Sequence, residues 1–133
     1  MAARNGTFQQ FTLNRDTWKL YGKCVGNAAA NPTGFKGLGI ASITWVSTGK
    51  YTITLSDKWA GLLEFTGTVL NSAGTTLSTV FPSAETVAST KTITMEVFGG
   101  ASAAAPTRRD LTSADTLLLE ITLSNSKQVP AGY

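Results

Sequence analysis

The chain has 133 residues, of which 14% are charged, with a net charge of +3, no His and a single Cys. Without His it lacks the commonest general base and metal ligand, and one Cys cannot form an intrachain disulfide or a Cys-based zinc site. Lys and Arg are scattered among acidic residues, whereas nucleic-acid binding needs them clustered. We therefore expect no cofactor and no nucleic-acid partner.

Length and hydropathy predict one soluble domain. A chain of 133 residues can bury a core without disulfides. No apolar run approaches the roughly 20 residues that span a bilayer, and the N-terminus lacks the apolar core of a signal peptide. We expect a protein made in the cytoplasm with no membrane partner. The expected organisation is an N-terminal arm at 1–10, a single β domain at 11–126 and a C-terminal tail at 127–133.

The first predicted strand lies within residues 12–25, where apolar and polar residues alternate. Trp18, Leu20 and Cys24 fall on one face of this strand. We interpret Cys24 as a small buried hydrophobe rather than a reactive thiol. The next segment, residues 26–39, is rich in Gly, Ala and Asn, which predicts an ordered loop.

A β-hairpin is predicted directly after this loop. Residues 40–46 form one strand, 47–50 the turn and 51–55 the second strand. The glycines of 34–39 lead into a strand and not into a helix, so they are expected to supply positive φ angles or close packing rather than bind phosphate. Residues 56–63 begin with a good N-cap residue, which predicts one helical turn, with a tight turn as the alternative.

Strand patterns then recur to the C-terminus. A hairpin turn is predicted at residues 71–74, and Leu77 and Phe81 are placed together on one strand face. The strands are predicted at residues 64–70, 75–81, 90–98 and 116–124. About seven strands with short connections predict an all-β fold, an antiparallel β-sandwich or barrel with at most one short helix.

The last strand has the most regular alternation. Its inward residues are expected to be Leu117, Leu119, Ile121 and Leu123, and its outward residues Leu118, Glu120 and Thr122. Because Leu118 is apolar and faces outward, we expect a second sheet or a neighbouring subunit to cover this face.

Two segments outside the strands are candidates for contact with a partner or with neighbouring subunits. Phe8 and Phe11 give the N-terminal arm apolar anchors, and the long loop at 99–113 carries Arg108 and Arg109. Two interpretations of these arginines stay open: a local pair with an Asp in a solvated loop, or contact with an acidic partner surface.

Two other classes of function follow from the remaining residues. The aromatic residues could form a sugar-binding or base-stacking platform, although packing in the core or at a subunit interface fits the strand register better. They are Trp18, Trp45, Trp59, Tyr21 and Tyr51. A hydrolase would need two of the dispersed carboxylates to converge, and no motif indicates such a pair. We therefore expect no catalytic residues and no enzymatic activity.

Four short elements follow one another in residues 31–63. They are Pro-Thr at 32–33, KGxGIxSI at 36–43, GxYTxTL at 49–55 and DxWxxLL at 57–63. This order resembles a family of small tailed-bacteriophage virion proteins. The resemblance is strong over these residues, loose over the last strand, and carries no catalytic residues.

The resemblance implies a capsid decoration or cement protein that binds the outside of the major capsid protein lattice and stabilises the phage head. A homotrimer is the favoured assembly, with a dimer second, and the outer capsid surface of the virion is the expected location. Phe8, Phe11, Arg108, Arg109 and Leu118 are then the expected contacts with the capsid or between subunits. The alternative is a tail or baseplate fibre module that binds host glycan.

Overall fold

A computed structural model describes residues 17–74, 76–100 and 106–125, which form nine antiparallel strands. The strands are β1 Thr17–Val25, β2 Thr33–Gly37, β3 Ile40–Ser47, β4 Lys50–Leu55, β5 Gly61–Asn71, β6 Leu77–Glu85, β7 Thr92–Gly100, β8 Thr107–Arg108 and β9 Asp115–Ser124. The predicted all-β class is therefore confirmed. These ranges include no helix that is long and apolar enough to cross a membrane. The division into arm, domain and tail stays a prediction.

The strands form one sheet that is nearly closed into a barrel. Their order is β2-β1-β9-β5-β6-β7-β4-β3, and β8 pairs with β7. The two ends of this order, β2 and β3, are consecutive in the chain and are joined only by Leu38 and Gly39. Across the gap between them, which we call the seam, the Asn31 Oδ1 accepts a hydrogen bond of 2.9 Å from the Trp45 backbone N–H.

The core fills the inside of the barrel. Buried apolar side chains alternate along the three strands that contribute most of it, β4, β7 and β9, because successive residues of a strand point to opposite faces. They are Tyr51, Ile53, Leu55, Ile93, Met95, Val97, Leu117, Leu119, Ile121 and Leu123. The predicted inward set of the last strand is confirmed. Replacing one of these leucines with Ala would cost about 2–5 kcal/mol, from lost transfer free energy and the cavity left behind.

Cys24 belongs to the same core. It is 1% exposed, and burial raises the pKa of its thiol to about 11. The thiol is therefore protonated at neutral pH, which suppresses its reactivity. The interpretation of Cys24 as a small buried hydrophobe is confirmed.

The glycine-rich segment differs from the prediction because it contains a strand. β2 pairs with β1, with Lys23 opposite Lys36. Pro and Gly obscured the strand signal, since both are disfavoured in strand interiors. The expected positive φ angles are confirmed at Gly34 (+61°) and Gly39 (+83°).

The helical turn predicted for residues 56–63 is wrong. The chain bends there, and β5 begins at Gly61. The Trp59 N–H donates to the Val87 carbonyl at 3.0 Å, and the Ala60 N–H donates to the Ser124 carbonyl at 2.8 Å. These donors bond to distant segments, so the local N-cap signal does not decide the structure.

The hairpin between β5 and β6 confirms the predicted turn, in which the Gly74 N–H donates to the Asn71 carbonyl at 3.0 Å. Leu77 and Phe81 share one face of β6, and this is the outer face of the barrel. Leu77 is 85% exposed and Phe81 is 39% exposed, whereas Val80 packs against the core. The apolar residues of β6 thus lie on both faces of the strand.

Candidate interaction surface

The segment before β9 is bonded to the barrel and does not form a solvated loop. In this latch loop, residues 106–114, the Asp110 Oδ1 accepts from the Trp45 Nε1 at 2.8 Å and from the Gly49 N–H at 2.9 Å. The next residue, Leu111, is fully buried and donates its N–H to the Tyr51 Oη at 2.9 Å. Asp110 therefore holds the β3–β4 turn, and it does not pair with the adjacent arginines.

Gly49 allows the latch loop to approach that closely. Its φ is +68°, and a Cβ at this position would lie 2.8 Å from the Val97 carbonyl oxygen and 2.9 Å from the Arg109 nitrogen. No L-residue fits there without movement of the backbone. The glycine of the GxYTxTL element thus has a packing role.

Arg109 belongs to the hydrogen bonds that join the latch loop to the barrel, which we call the latch network. Its Nη1 donates to the Ser78 Oγ at 2.5 Å, and its Nη2 donates to the Asp115 Oδ2 at 2.6 Å. Its side chain is 17% exposed and that of Asp115 is fully buried. The guanidinium therefore joins β6, the latch loop and the start of β9.

Asp115 accepts hydrogen bonds from three residues, two in the latch loop and one in β5. Besides Arg109, it accepts from the Thr112 N–H at 2.9 Å and from the Asn71 Nδ2 at 2.7 Å. Burial alone would raise the pKa of this carboxyl, but the hydrogen bonds from Arg109, Thr112 and Asn71 outweigh burial and lower the pKa from its ordinary value of 3.8. Asp115 is thus ionised in the folded protein at neutral pH.

Arg108, one residue earlier, lies on the outside of the barrel. Its side chain is 48% exposed, and its Nη2 is 2.5 Å from the Glu96 Oε1. The guanidinium also lies over the Phe98 ring, 5.8 Å from the ring centroid. Phe98 in turn stacks on Phe81, with ring centroids 5.5 Å apart and ring planes at 19°.

These contacts define an apolar surface on the outer side of β5, β6 and β7. Near the β5–β6 turn, Leu70 is 54% exposed and Leu77 is 85% exposed. We call this surface the outer patch, made of Leu70, Leu77, Phe81, Phe98 and Arg108. The period-two pattern places Leu77 and Phe81 on one face but does not mark them as interface residues. The signal available was the presence of apolar residues at both odd and even positions of β6.

The three predicted interface residues that the structure describes, Arg108, Arg109 and Leu118, do not come together. Phe8 and Phe11 lie outside the described residues. Arg109 is held in the interior, Arg108 belongs to the outer patch, and Leu118 is half-buried on the outer face of β9, which β5 separates from β6. Their assignment as contacts stays a prediction, and the geometry favours Arg108 and Leu118 over Arg109.

The aromatic residues do not line one groove either. Tyr51 is fully buried, and the Trp45 indole donates to Asp110. Trp18 is 54% exposed and packs against Trp59, with ring centroids 6.2 Å apart at 50°. Within the described residues, no group of three or more Cys, Asp or Glu side chains is placed to hold a metal ion.

Comparison of the chain with models of protein families, with curated proteins and with solved structures finds no match.

Proposed function

We propose that this protein is a non-enzymatic structural component of a phage virion, a capsid decoration protein that binds the outside of the major capsid protein lattice. The four short sequence elements of residues 31–63, in the order in which they occur, support this class of protein through their resemblance to small virion proteins. The partner is then the major capsid protein, and the location is the outer surface of the head.

The observation that carries the proposal is the outer patch. Three of its apolar side chains, Leu70, Leu77 and Phe81, are large and exposed on a rigid antiparallel sheet. Contiguous exposed apolar surface, flanked here by an arginine on an aromatic ring, is typical of protein–protein contacts. A contact surface on a stiff barrel suits a protein whose role is to bind and reinforce a lattice.

The outer patch is the proposed contact between copies of the chain, in a homotrimer or, as the second choice, a dimer. Closed symmetry is the rule for soluble oligomers. An oligomer that engages several lattice sites at once binds far more tightly than one subunit, because the later contacts are intramolecular. Weak contacts per subunit therefore give durable attachment to a head.

The test is rebinding. Heads of the virus that encodes this chain are prepared without it, mixed with the purified protein, and analysed by co-sedimentation and electron cryomicroscopy. We expect saturable binding and new density at symmetry-related positions on the outer surface. A protein that stays in the supernatant at every concentration tested would overturn the proposal.

One observation favours the second candidate, a tail or baseplate fibre module that binds host glycan. Trp18 is half-exposed beside Trp59, and stacking of sugar rings on exposed indoles is a familiar use of such pairs. Glycan binding should then appear as saturable quenching of tryptophan fluorescence by host polysaccharide. Trp18→Ala should abolish this quenching, whereas a change in the outer patch should leave it intact.

A further inference from the structure

A second outer surface, on β2, β1 and β9, carries positive charge that the described residues do not balance. Lys36 of β2 is the ladder partner of Lys23 of β1, and Lys23 is also the ladder partner of Leu118 of β9. Like charges directly opposed on neighbouring strands destabilise a sheet. Such a pair is explained if a partner supplies the negative charge.

Neighbouring carboxylates are already engaged. Glu120 is the ladder partner of Tyr21, which lies two residues before Lys23 on β1. Glu120 accepts a 2.8 Å hydrogen bond from the Lys19 Nζ. This contact with Glu120 raises the pKa of Lys19. Across the described ranges, Lys23 and Lys36 take part in none of the ion pairs, and both are exposed.

The two lysines border a shallow groove of about 350 Å³. Its apolar surface includes Tyr21, which is 59% exposed, and the half-buried Leu118. The complete lining is Tyr21, Gly22, Lys23, Lys36, Leu118 and Leu119. The groove thus combines an apolar floor with two free ammonium groups at its edge.

We propose that this lysine groove binds an acidic segment of a protein partner, in which a carboxylate lies beside an apolar side chain. The carboxylate bridges Lys23 and Lys36, and the apolar side chain packs on Tyr21 and Leu118. Charge complementarity selects the acidic group, since each ammonium donates charge-assisted hydrogen bonds. The identification of the partner as the capsid shell rests on the proposed function, whereas the chemistry of the groove does not.

The lining favours a peptide over an acidic polysaccharide. Sugar hydroxyls are bound through carboxylate and amide side chains that accept and donate in pairs, and none of the described residues that line the groove carries such a side chain. An apolar floor instead suits a Leu, Ile or Val side chain, whose burial is favourable. Leu118, singled out in the sequence as an outward apolar residue, then has a binding role.

The experiment measures binding of fluorescent peptides to the full chain by anisotropy at low ionic strength. The probe is a short peptide of alternating glutamate and leucine, and the matched probe carries glutamine in place of glutamate. We expect the acidic probe alone to bind, with affinity that falls as salt is added. The double variant Lys23→Glu/Lys36→Glu should bind it about tenfold more weakly, since two attractions become repulsions.

The control variant is Lys58→Glu, which makes the charge change of either single substitution, Lys23→Glu or Lys36→Glu, at an exposed lysine in the bend before β5. It should bind the acidic probe as the wild type does. The proposal is overturned if the two peptides bind equally. It is also overturned if Lys58→Glu loses as much affinity for the acidic peptide as the single variants Lys23→Glu and Lys36→Glu do. Binding of alginate, a carboxylated polysaccharide, without binding of the acidic peptide would overturn the choice of a protein partner.

The same variants separate this inference from the proposed function. If the double variant loses the peptide and also loses the heads, the groove is the surface that contacts the shell. If the wild type binds heads but not the acidic peptide, the groove proposal fails and capsid decoration stands. If it binds the peptide but not the heads, decoration fails and the groove stands.

Discussion

Two adjacent arginines belong to regions with opposite roles. Arg109 is inside the latch network, where Asp115 and Ser78 satisfy its guanidinium, and Arg108 is outside, on the ring of Phe98. Because successive residues of an extended chain point to opposite sides, one position separates an internal structural contact from a surface that a partner can reach. Charge and position in the sequence therefore do not identify a contact residue, whereas the face of the strand on which its side chain lies does.

Loss of Arg109 should have the largest effect on the free energy of unfolding. Arg109→Met leaves the fully buried Asp115 carboxylate without its cationic partner, and we expect a decrease of about 3 kcal/mol in the free energy of unfolding. Urea denaturation followed by tryptophan fluorescence measures it. A loss below about 1 kcal/mol would show that the latch network is not the main support of this end of the barrel.

The outer patch should decide self-association. Leu77→Glu places a charge in the apolar contact, and we expect the dissociation constant of the oligomer to rise by at least about thirtyfold, the loss of one well-packed contact of about 2 kcal/mol. Sedimentation velocity provides the measurement.

The matched control is Leu38→Glu, because Leu38 is 88% exposed in the β2–β3 turn, outside the outer patch. This variant should associate as the wild type does. If both variants dissociate equally, the exposure of a leucine and not its place in the outer patch governs assembly. If the wild type is a monomer, the outer patch is not a contact between copies of the chain.

Acid should weaken the latch network. Since the folded pKa of Asp115 is below its ordinary value of 3.8, its contribution to stability is complete above that pH and is lost as the pH falls through the folded pKa. We expect Asp115→Asn to be less stable at neutral pH and to lose less stability on acidification. Parallel acid curves for Asp115→Asn and the wild type would contradict the assignment.

The pKa values of Lys19, Cys24 and Tyr51 are raised, so these groups titrate on the alkaline side.

The smallest expected effect on folding belongs to Arg108. Its own side chain is 48% exposed although that of Glu96 is only 10% exposed, so Arg108→Ala should lower the free energy of unfolding by about 1–2 kcal/mol, less than Arg109→Met does. The same variant should weaken self-association about fivefold, through loss of the contact between the guanidinium and the Phe98 ring. A variant as unstable as Arg109→Met would remove the distinction between the two arginines.

Period-two alternation predicted β1, β3, β4, β7 and β9, because these strands place apolar residues on one buried face. β2 was missed because its glycines and short length weaken that signal. The bend at Trp59 was misread as a helical turn, since its N–H is satisfied by Val87, a partner 28 positions later in the chain.

The candidate surfaces were harder to predict than the fold. Asp115 meets Asn71 from β5, and Arg109 meets Ser78 from β6, so the network depends on strand order, which no local pattern contains. Similarly, alternation placed Leu77 and Phe81 together but could not tell the inner face from the outer face. Lys23 and Lys36 face each other because β2 pairs with β1, and the sequence pattern does not predict β2.

The seam between β2 and β3 has a consequence for how copies of this chain avoid aggregation. An open sheet would offer two rows of unpaired backbone groups to any other chain, and such edges template runaway fibre growth. Here the Leu38–Gly39 connection ties the two edges at one end, and the bond from Trp45 to Asn31 ties them near the other. Two edges tied in this way leave a second copy of the chain less free backbone to pair with than an open sheet would.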